Sequence, residues 1–278
     1  MKKLLFEIGV EELPARFIPG AMKHMAERGE QLLSAARLQP QRVEVSATPR
    51  RLVLTAEVSE MQPDQQKEIK GPPVKAAFDA QGGFTKAALG FAASQKIAPE
   101  ALYRAQYEGG EYVFARVEER GRAALEVLAE VLPQLLLSFS FPKAMRWASY
   151  DLKWARPIRW IVALLGEEVI NFEIAGIKAG RHTYGLRFLH PEPISVPDAS
   201  QHARLLSEAH VILNHEERYR VIKQLVQEAA AKEGGHVDEN DEELFREVTD
   251  INEYPSVVVG SFNPEYLKLP VEVIITPM

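Results

Sequence analysis

Short apolar runs alternate with amphipathic stretches along the whole chain. Lys3 to Gly9 is almost wholly apolar and reads as a buried strand. Ala21 to Leu38 sets Met22, Met25, Gly29, Leu32, Leu33 and Ala36 at steps of three and four, one face of a helix. Arg51 to Ser59 alternates, with Leu52, Leu54, Ala56 and Val58 on one side of a strand. Met61 to Pro73 is polar and proline-containing, which predicts a loop or linker. Thr85 to Lys96 reads as a short helix. Glu111 to Val117 follows a Gly109-Gly110 turn signal and pairs as a hairpin with Tyr103 to Tyr107. Arg122 to Leu137 has a helical stripe, with Pro133 predicting a kink or break.

Further along, Pro157 to Leu165 and Glu168 to Ile174 read as two strands joined at Gly166, and Val211 to Leu213 as a brief third. Asn214 with Glu217 three residues on resembles a capping box. The helix it opens carries Tyr219, Ile222, Leu225, Val226 and Ala229 on one face and stops at Gly234-Gly235. Val257 to Val259 and Val271 to Ile275 read as final strands. Strands and helices intermix throughout, so the fold class is α+β (or α/β), with mixed sheets and packed helices. Two regions are expected, 1–140 and 141–278. A natural domain rarely stops one step past a core strand, so from Met278 the chain is expected to be a piece of a longer polypeptide.

Composition removes several classes. The 278 residues carry a formal charge of −6 and are 46% hydrophobic, too apolar and too balanced in charge for a disordered chain. No apolar run reaches the roughly 18 residues of a membrane helix. Cysteine is absent, which excludes disulfides and thiolate chemistry. Glu7 interrupts the apolar start too early for a signal peptide, so a cytoplasmic location is expected, with no membrane partner.

Catalytic motifs are also missing. There is no P-loop, no G-x-G-x-x-G and no G-x-S-x-G. His215-Glu216 begins like a zinc-protease motif, but Tyr219 stands where the second His belongs. Each of the seven histidines reads as a surface or loop residue. The acidic run Asp238, Glu239, Asp241, Glu242, Glu243 and Glu247 lacks the alternation and glycine of a calcium loop and reads as a solvated face. No catalytic or metal-binding residue is assigned.

One stretch has a chemistry of its own. Between Ser138 and Trp160, five basic residues (Lys143, Arg146, Lys153, Arg156, Arg159) face one acid, Asp151, a local charge of +4 in an acidic chain. All three tryptophans, Trp147, Trp154 and Trp160, lie here as well. Cations neutralise phosphates and flat rings stack on unpaired bases, so the pattern suits RNA. The competing reading puts the rings in a core and the arginines in structural ion pairs. A smaller basic spot, Thr48-Pro49-Arg50-Arg51, precedes the alternating strand.

Several segments are similar to one family. Leu5-Phe6-Glu7-Ile8-Gly9-Val10-Glu11-Glu12-Leu13-Pro14 resembles the opening of the beta subunit of the bacterial two-subunit glycyl-tRNA synthetase. Thr48-Pro49-Arg50-Arg51-Leu52, Gly71-Pro72-Pro73 and Gly90-Phe91-Ala92 fit it too. So do Phe141-Pro142-Lys143-Ala144-Met145-Arg146-Trp147, Arg156-Pro157-Ile158-Arg159-Trp160, Glu253-Tyr254-Pro255 and Leu269-Pro270-Val271-Glu272-Val273. The matches run in family order from near residue 4 to the end.

That resemblance implies the N-terminal region of a synthetase beta chain, with a portion similar to an editing domain. It implies an alpha-subunit partner in an α2β2 assembly, ATP and Mg at the alpha subunit and no cofactor in this chain. It also implies tRNA-Gly as the RNA and no DNA partner. The later His-Asp-type and anticodon-binding domains of such beta chains are not within these residues. The expected tRNA contacts are Arg50, Arg51, Lys143, Arg146, Arg156 and Arg159, with Trp147 stacking. Two alternatives stand beside this reading. One is a subunit-docking scaffold using Leu132 to Phe141 as an exposed face, and the other an editing-like aminoacyl-tRNA hydrolase.

Overall fold

A computed structural model of the protein describes residues 1–79, 81–237 and 241–275. Asp238 and Glu239 of the acidic run lie outside them. The first strand, β1 (Lys2–Val10), is buried on both faces. Leu4, Phe6, Ile8 and Val10 enter one apolar cluster, and Leu5 enters a second on the opposite face, as period-two alternation requires of a central strand. Helix α1 (Ile18–Ala35) lays Ile18, Ala21, Met25 and Leu33 on the first face. The chain returns as a hairpin of β2 (Gln41–Thr48) and β3 (Arg51–Val58), in which Thr48 pairs with Arg51 and leaves Pro49 and Arg50 as the turn. Strand β3 then pairs antiparallel with β1.

The polar stretch expected as a loop contains a strand, β4 (Gln65–Pro73). Its side chains are mostly exposed and its backbone pairs with a later strand, so the segment shows no alternation that hydropathy could register. Two short helices follow, α2 (Val74–Ala77) and α3 (Lys86–Ser94), the second capped by Thr85. The expected hairpin forms as β5 (Tyr103–Tyr107) and β6 (Gly110–Glu119). These strands make a three-stranded sheet, β4-β6-β5, with its own small cluster of Ala77, Ala88 and Val113.

Helix α4 (Ala124–Leu137) continues through Pro133 rather than breaking there. A helix-interior proline costs about 3 kcal/mol. Burial of Val127, Leu128, Val131, Leu132, Leu135 and Leu136 opposes that cost. The same burial corrects the expected docking face: of Leu132, Leu135, Leu136, Leu137 and Phe139, only Leu137 is exposed.

Strand β7 (Ile158–Leu165) pairs antiparallel with β1 on the side away from β3. Segments from before and after residue 140 therefore share one sheet and one core. Glu168 to Ile174, expected as one strand, is two short pieces, β8 (Glu168–Val169) and β9 (Glu173–Ile174). The first pairs with β7 and the second with β10 (Ile177–Gly180), which runs parallel to β7. The main sheet has the order β2-β3-β1-β7-β10-β9, with β8 against β7. A two-stranded ribbon follows, β11 (His182–Tyr184) with β12 (Pro193–Ser195).

Helix α5 (His202–Glu208) covers the second face of the main sheet near its Ala199 end. Residues 211–213 are irregular rather than a strand, because Val211 N donates to Leu206 O and Ile212 N to Glu253 O instead of to a ladder. Helix α6 (His215–Lys232) starts as expected, with Asn214 Oδ1 accepting from Glu217 N at 2.9 Å, and gives way to Gly234 at φ 69°. Helix α7 (Glu242–Ile251) packs on α6. Val257 to Val259 forms no strand, and Val271 to Ile275 is a short helix, α8 (Val271–Ile275). Both have β-branched side chains but no neighbouring strand, and a strand needs a partner for its backbone. No helix of the described residues is long and apolar enough to cross a membrane.

Candidate functional site

Three adjacent strands set the site. Gly9 of β1 lies directly between Arg51 of β3 and Trp160 of β7, and side chains in direct register point to the same face. A Cβ on Gly9 would stand 1.9 Å from Trp160 Cε2. The missing side chain at Gly9 is what lets the indole lie across the sheet. Two residues back along β1, the same face carries Glu7, fully buried.

Glu7 is the acceptor at the centre of a polar cluster. Trp160 Nε1 donates to it at 2.7 Å and Thr183 Oγ1 at 2.8 Å; His202 Nε2 also bonds to it, and Arg51 Nη1 lies 3.6 Å away. Burial alone would raise the Glu7 pKa. The charges and hydrogen bonds of His202, Arg51 and Thr183 outweigh burial and hold it at about 2, so Glu7 is a carboxylate. Arg51 has no exposed surface. It donates to Tyr184 O at 2.7 Å, to Thr183 Oγ1 at 3.3 Å, and through Nε and Nη2 to Glu253 Oε1 at 3.2 and 3.0 Å. Thr48 Oγ1 adds a bond to the same Glu253 oxygen at 2.6 Å.

Immediately outside this cluster lies a cleft of about 290 Å³. Arg50, Arg159, Arg187, His190, Tyr184 and the edge of Trp160 line it. Each arginine arrives by a local device. Arg50 is the second turn residue of the β2–β3 hairpin, one position from the buried Arg51. Arg159 has no partner on β1, because the register slips between Gly9, opposite Trp160, and Val10, opposite Ile158. That bulge turns Arg159 outward from an otherwise buried strand. Arg187 sits on the turn after β11.

Glu11 bridges two of these arginines, with Arg159 Nε at 3.2 Å and Arg187 Nη2 at 3.0 Å. Arg50 Nε is buried without a hydrogen-bond partner. Burial lowers the Arg50 pKa, Glu253 opposes that, and Arg187 and Arg51 add to it. His190 Nε2 bonds to His210 Nδ1 at 2.9 Å, and the His210 ring meets Tyr254 edge-on. Three guanidinium groups against one carboxylate leave the cleft cationic in an acidic protein.

Of the residues expected to touch RNA, the cleft gathers two, Arg50 and Arg159. Arg51 points into the protein, where its guanidinium is enclosed by Glu7, Glu253, Thr183 and Tyr184. Lys143 and Arg146 are exposed on the irregular segment after α4, but do not line the cleft. Arg156 is half-buried and donates to Ala155 O at 2.8 Å. Trp147 is half-buried against the main core, and Trp154 is wholly inside it.

His202 corrects the expectation that every histidine is a surface or loop residue, since it is buried on the Glu7 carboxylate. His215 is also more than a loop residue, bonding to the buried Asp250 at 2.8 Å. Arg187 and His190 carry no pattern in the sequence that marks them, and Glu11 is marked only by lying in the segment Leu5 to Pro14. Glu7 does carry one, as a lone carboxylate inside an apolar strand. Among the described residues no group of three or more His, Asp or Glu is arranged to hold a metal.

These features define a class: an α+β fold that carries an arginine-lined cleft at the edge of a buried polar cluster. Comparison with known proteins narrows it. The family model described as "Glycyl-tRNA synthetase beta subunit" matches residues 4–278. The chain is 50% identical over 278 residues to the glycine–tRNA ligase beta subunit of Moorella thermoacetica, covering 100% of this chain and 40% of that one. It is 43% identical to the same-named subunit of Desulforamulus reducens, again over 100% of this chain and 40% of the relative. The chain belongs to the glycyl-tRNA synthetase beta subunit family, and it spans 40% of the length of these relatives.

Proposed function

We propose that this chain binds tRNA-Gly and orients it for a glycyl-tRNA synthetase alpha subunit, which attaches glycine using ATP and Mg. The chain's part is positional. Holding the RNA converts an encounter between three partners into one within a complex, and that lowers the entropic barrier. The observation that carries this reading is the cleft in which Arg50, Arg159 and Arg187 converge around a single carboxylate. Guanidinium groups match phosphate oxygens in geometry and charge. Lys143 and Arg146, exposed on the segment after α4, stay candidate phosphate contacts outside the cleft. Arg51 is excluded from this role by its burial.

The reading is supported further by the family to which the chain belongs. Membership of a heterotetramer and a cytoplasmic location are parts of the same proposal. The docking-scaffold alternative loses most of the surface first expected for it, Leu132 to Phe141, since Leu132, Leu135, Leu136 and Phe139 are core. No observation favours the hydrolase alternative.

The test is binding of tRNA-Gly by this chain, with and without the alpha subunit, across a salt series. Affinity that falls steeply with salt supports the proposal. Binding that is absent at low salt, or insensitive to salt, overturns it.

A further inference from the structure

We propose that the cleft seats an unpaired RNA strand, with a backbone phosphate taking the place of Glu11 between Arg159 and Arg187 and the adjoining base stacking on Phe188. This rests on the tRNA-binding reading above and specifies which chemistry of the RNA the site selects.

Phe188 is the observation that a general phosphate-binding surface leaves unexplained. It stands between the cleft residues Arg187 and His190 with 89% of its surface exposed, and the neighbouring Leu189 is 56% exposed. The turn that carries it is fixed. Leu189 N and His190 N both donate to Leu186 O, at 3.0 and 2.8 Å, and Leu186 N donates to Ala209 O at 3.0 Å. Gly185 allows the close approach, since a Cβ there would lie 2.6 Å from Ala209 Cβ and 2.8 Å from Ala209 O. The His190–His210 bond then holds the far end of the turn. The backbone of the turn is therefore ordered in advance, while the Phe188 ring stands free in solvent and would be ordered by the base that stacks on it.

Ligand chemistry follows from the pairing of this ring with the arginines. Glu11 already shows how two oxygens of an anion fit between Arg159 and Arg187, and Arg50 lines the same cleft. A duplex would satisfy those donors with phosphates but would keep its base faces inside its own stack, leaving Phe188 without a partner. An unpaired nucleotide offers both the phosphate and a free π-face. The cleft volume of about 290 Å³ suits one nucleotide-sized group at a time.

A transfer RNA has two such sources, its unpaired 3′ end and its anticodon loop. The experiment uses this chain in fluorescence-anisotropy titrations against three RNAs. These are an intact tRNA-Gly transcript, the same transcript trimmed of its unpaired 3′ nucleotides, and one whose anticodon loop is closed down to a compact tetraloop. Phe188→Ala should weaken the intact transcript about tenfold, and Phe188→Trp should restore it. One of the two altered RNAs should lose a similar factor, identifying the source, and on that RNA Phe188→Ala should have no further effect. Equal affinity of Phe188→Ala and the unsubstituted chain for the intact transcript overturns the inference. So does equal affinity for all three RNAs. In either case, if Arg159→Ala still weakens binding, the tRNA reading itself survives. No binding of the intact transcript at low salt removes both.

Discussion

Glu7 shows how much a single carboxylate can organise. Its fully buried oxygens collect donors from Trp160, Thr183 and His202, with Arg51 alongside. Its pKa of about 2, against an ordinary 4.5, gives the cluster a defined pH dependence. A depressed folded-state value contributes stability that is fully present above pH 4.5 and is lost as the pH falls toward about 2. The contribution is on the order of 3 kcal/mol. Denaturation midpoints measured from pH 6 to pH 2.5 should therefore drop with acid, and the drop should be smaller in Glu7→Gln. Gly9 carries a separate prediction. Gly9→Ala must displace the Trp160 indole and with it the 2.7 Å bond to Glu7. Chemical denaturation should show a loss of roughly 1–3 kcal/mol, the usual cost of overpacking. At this scale the sequence was partly legible. A charged residue inside an apolar strand was visible at Glu7. Its partners were not, because Arg51, Trp160, Thr183 and His202 lie far along the chain from it, and no local pattern links them to it.

Local elements decide which arginine goes where. Arg50 and Arg51 are neighbours, yet a turn position sends one to the cleft and a strand position sends the other into the core. The β-bulge on β7 does the same for Arg159 beside Trp160. Helix α6 is tied to this part of the fold by Arg218. Its guanidinium donates to Thr249 O at 3.0 Å, Ile212 O at 2.6 Å and Ala47 O at 3.0 Å. Burial lowers the Arg218 pKa to about 10 against the opposing pull of Asp250 and Glu253, so it stays charged at neutral pH. The start of α6 depends on Asn214, and Asn214→Ala should cost about 1 kcal/mol in thermal or chemical unfolding, the usual value of an N-cap. That cap was readable from the Asn214 and Glu217 spacing alone. Strand β4 was not, because its exposed side chains carry no alternation and its pairing partner, β6, comes after two helices and another strand. Helix α8 was misread as a strand for the converse reason: Val and Ile favour strands only where another strand accepts their backbone.

Across the whole molecule, a net charge of −6 coexists with a cleft in which three arginines face one glutamate. Long-range repulsion of RNA by the acidic surface is screened by salt over about 8–10 Å. Contacts between guanidinium and phosphate are what give the binding its salt slope. Arg159→Ala should therefore weaken tRNA-Gly binding and reduce the slope of log K against log salt by about 1, measured in the same titrations at two or more ionic strengths. Because Arg159 is exposed and its removal leaves β7 packed, unfolding should be little changed. Hydrophobic periodicity, turn and cap residues, the excess of cations near the tryptophans and the family resemblance could all be read along the chain, because each is a property of neighbouring residues. The union of both halves in one sheet, the enclosure of Arg51, the burial of His202 and the convergence of Arg50, Arg159 and Arg187 required strand register and long-range packing. Those follow from contacts between residues distant in sequence, and the free energy of such contacts depends on what else has come together around them.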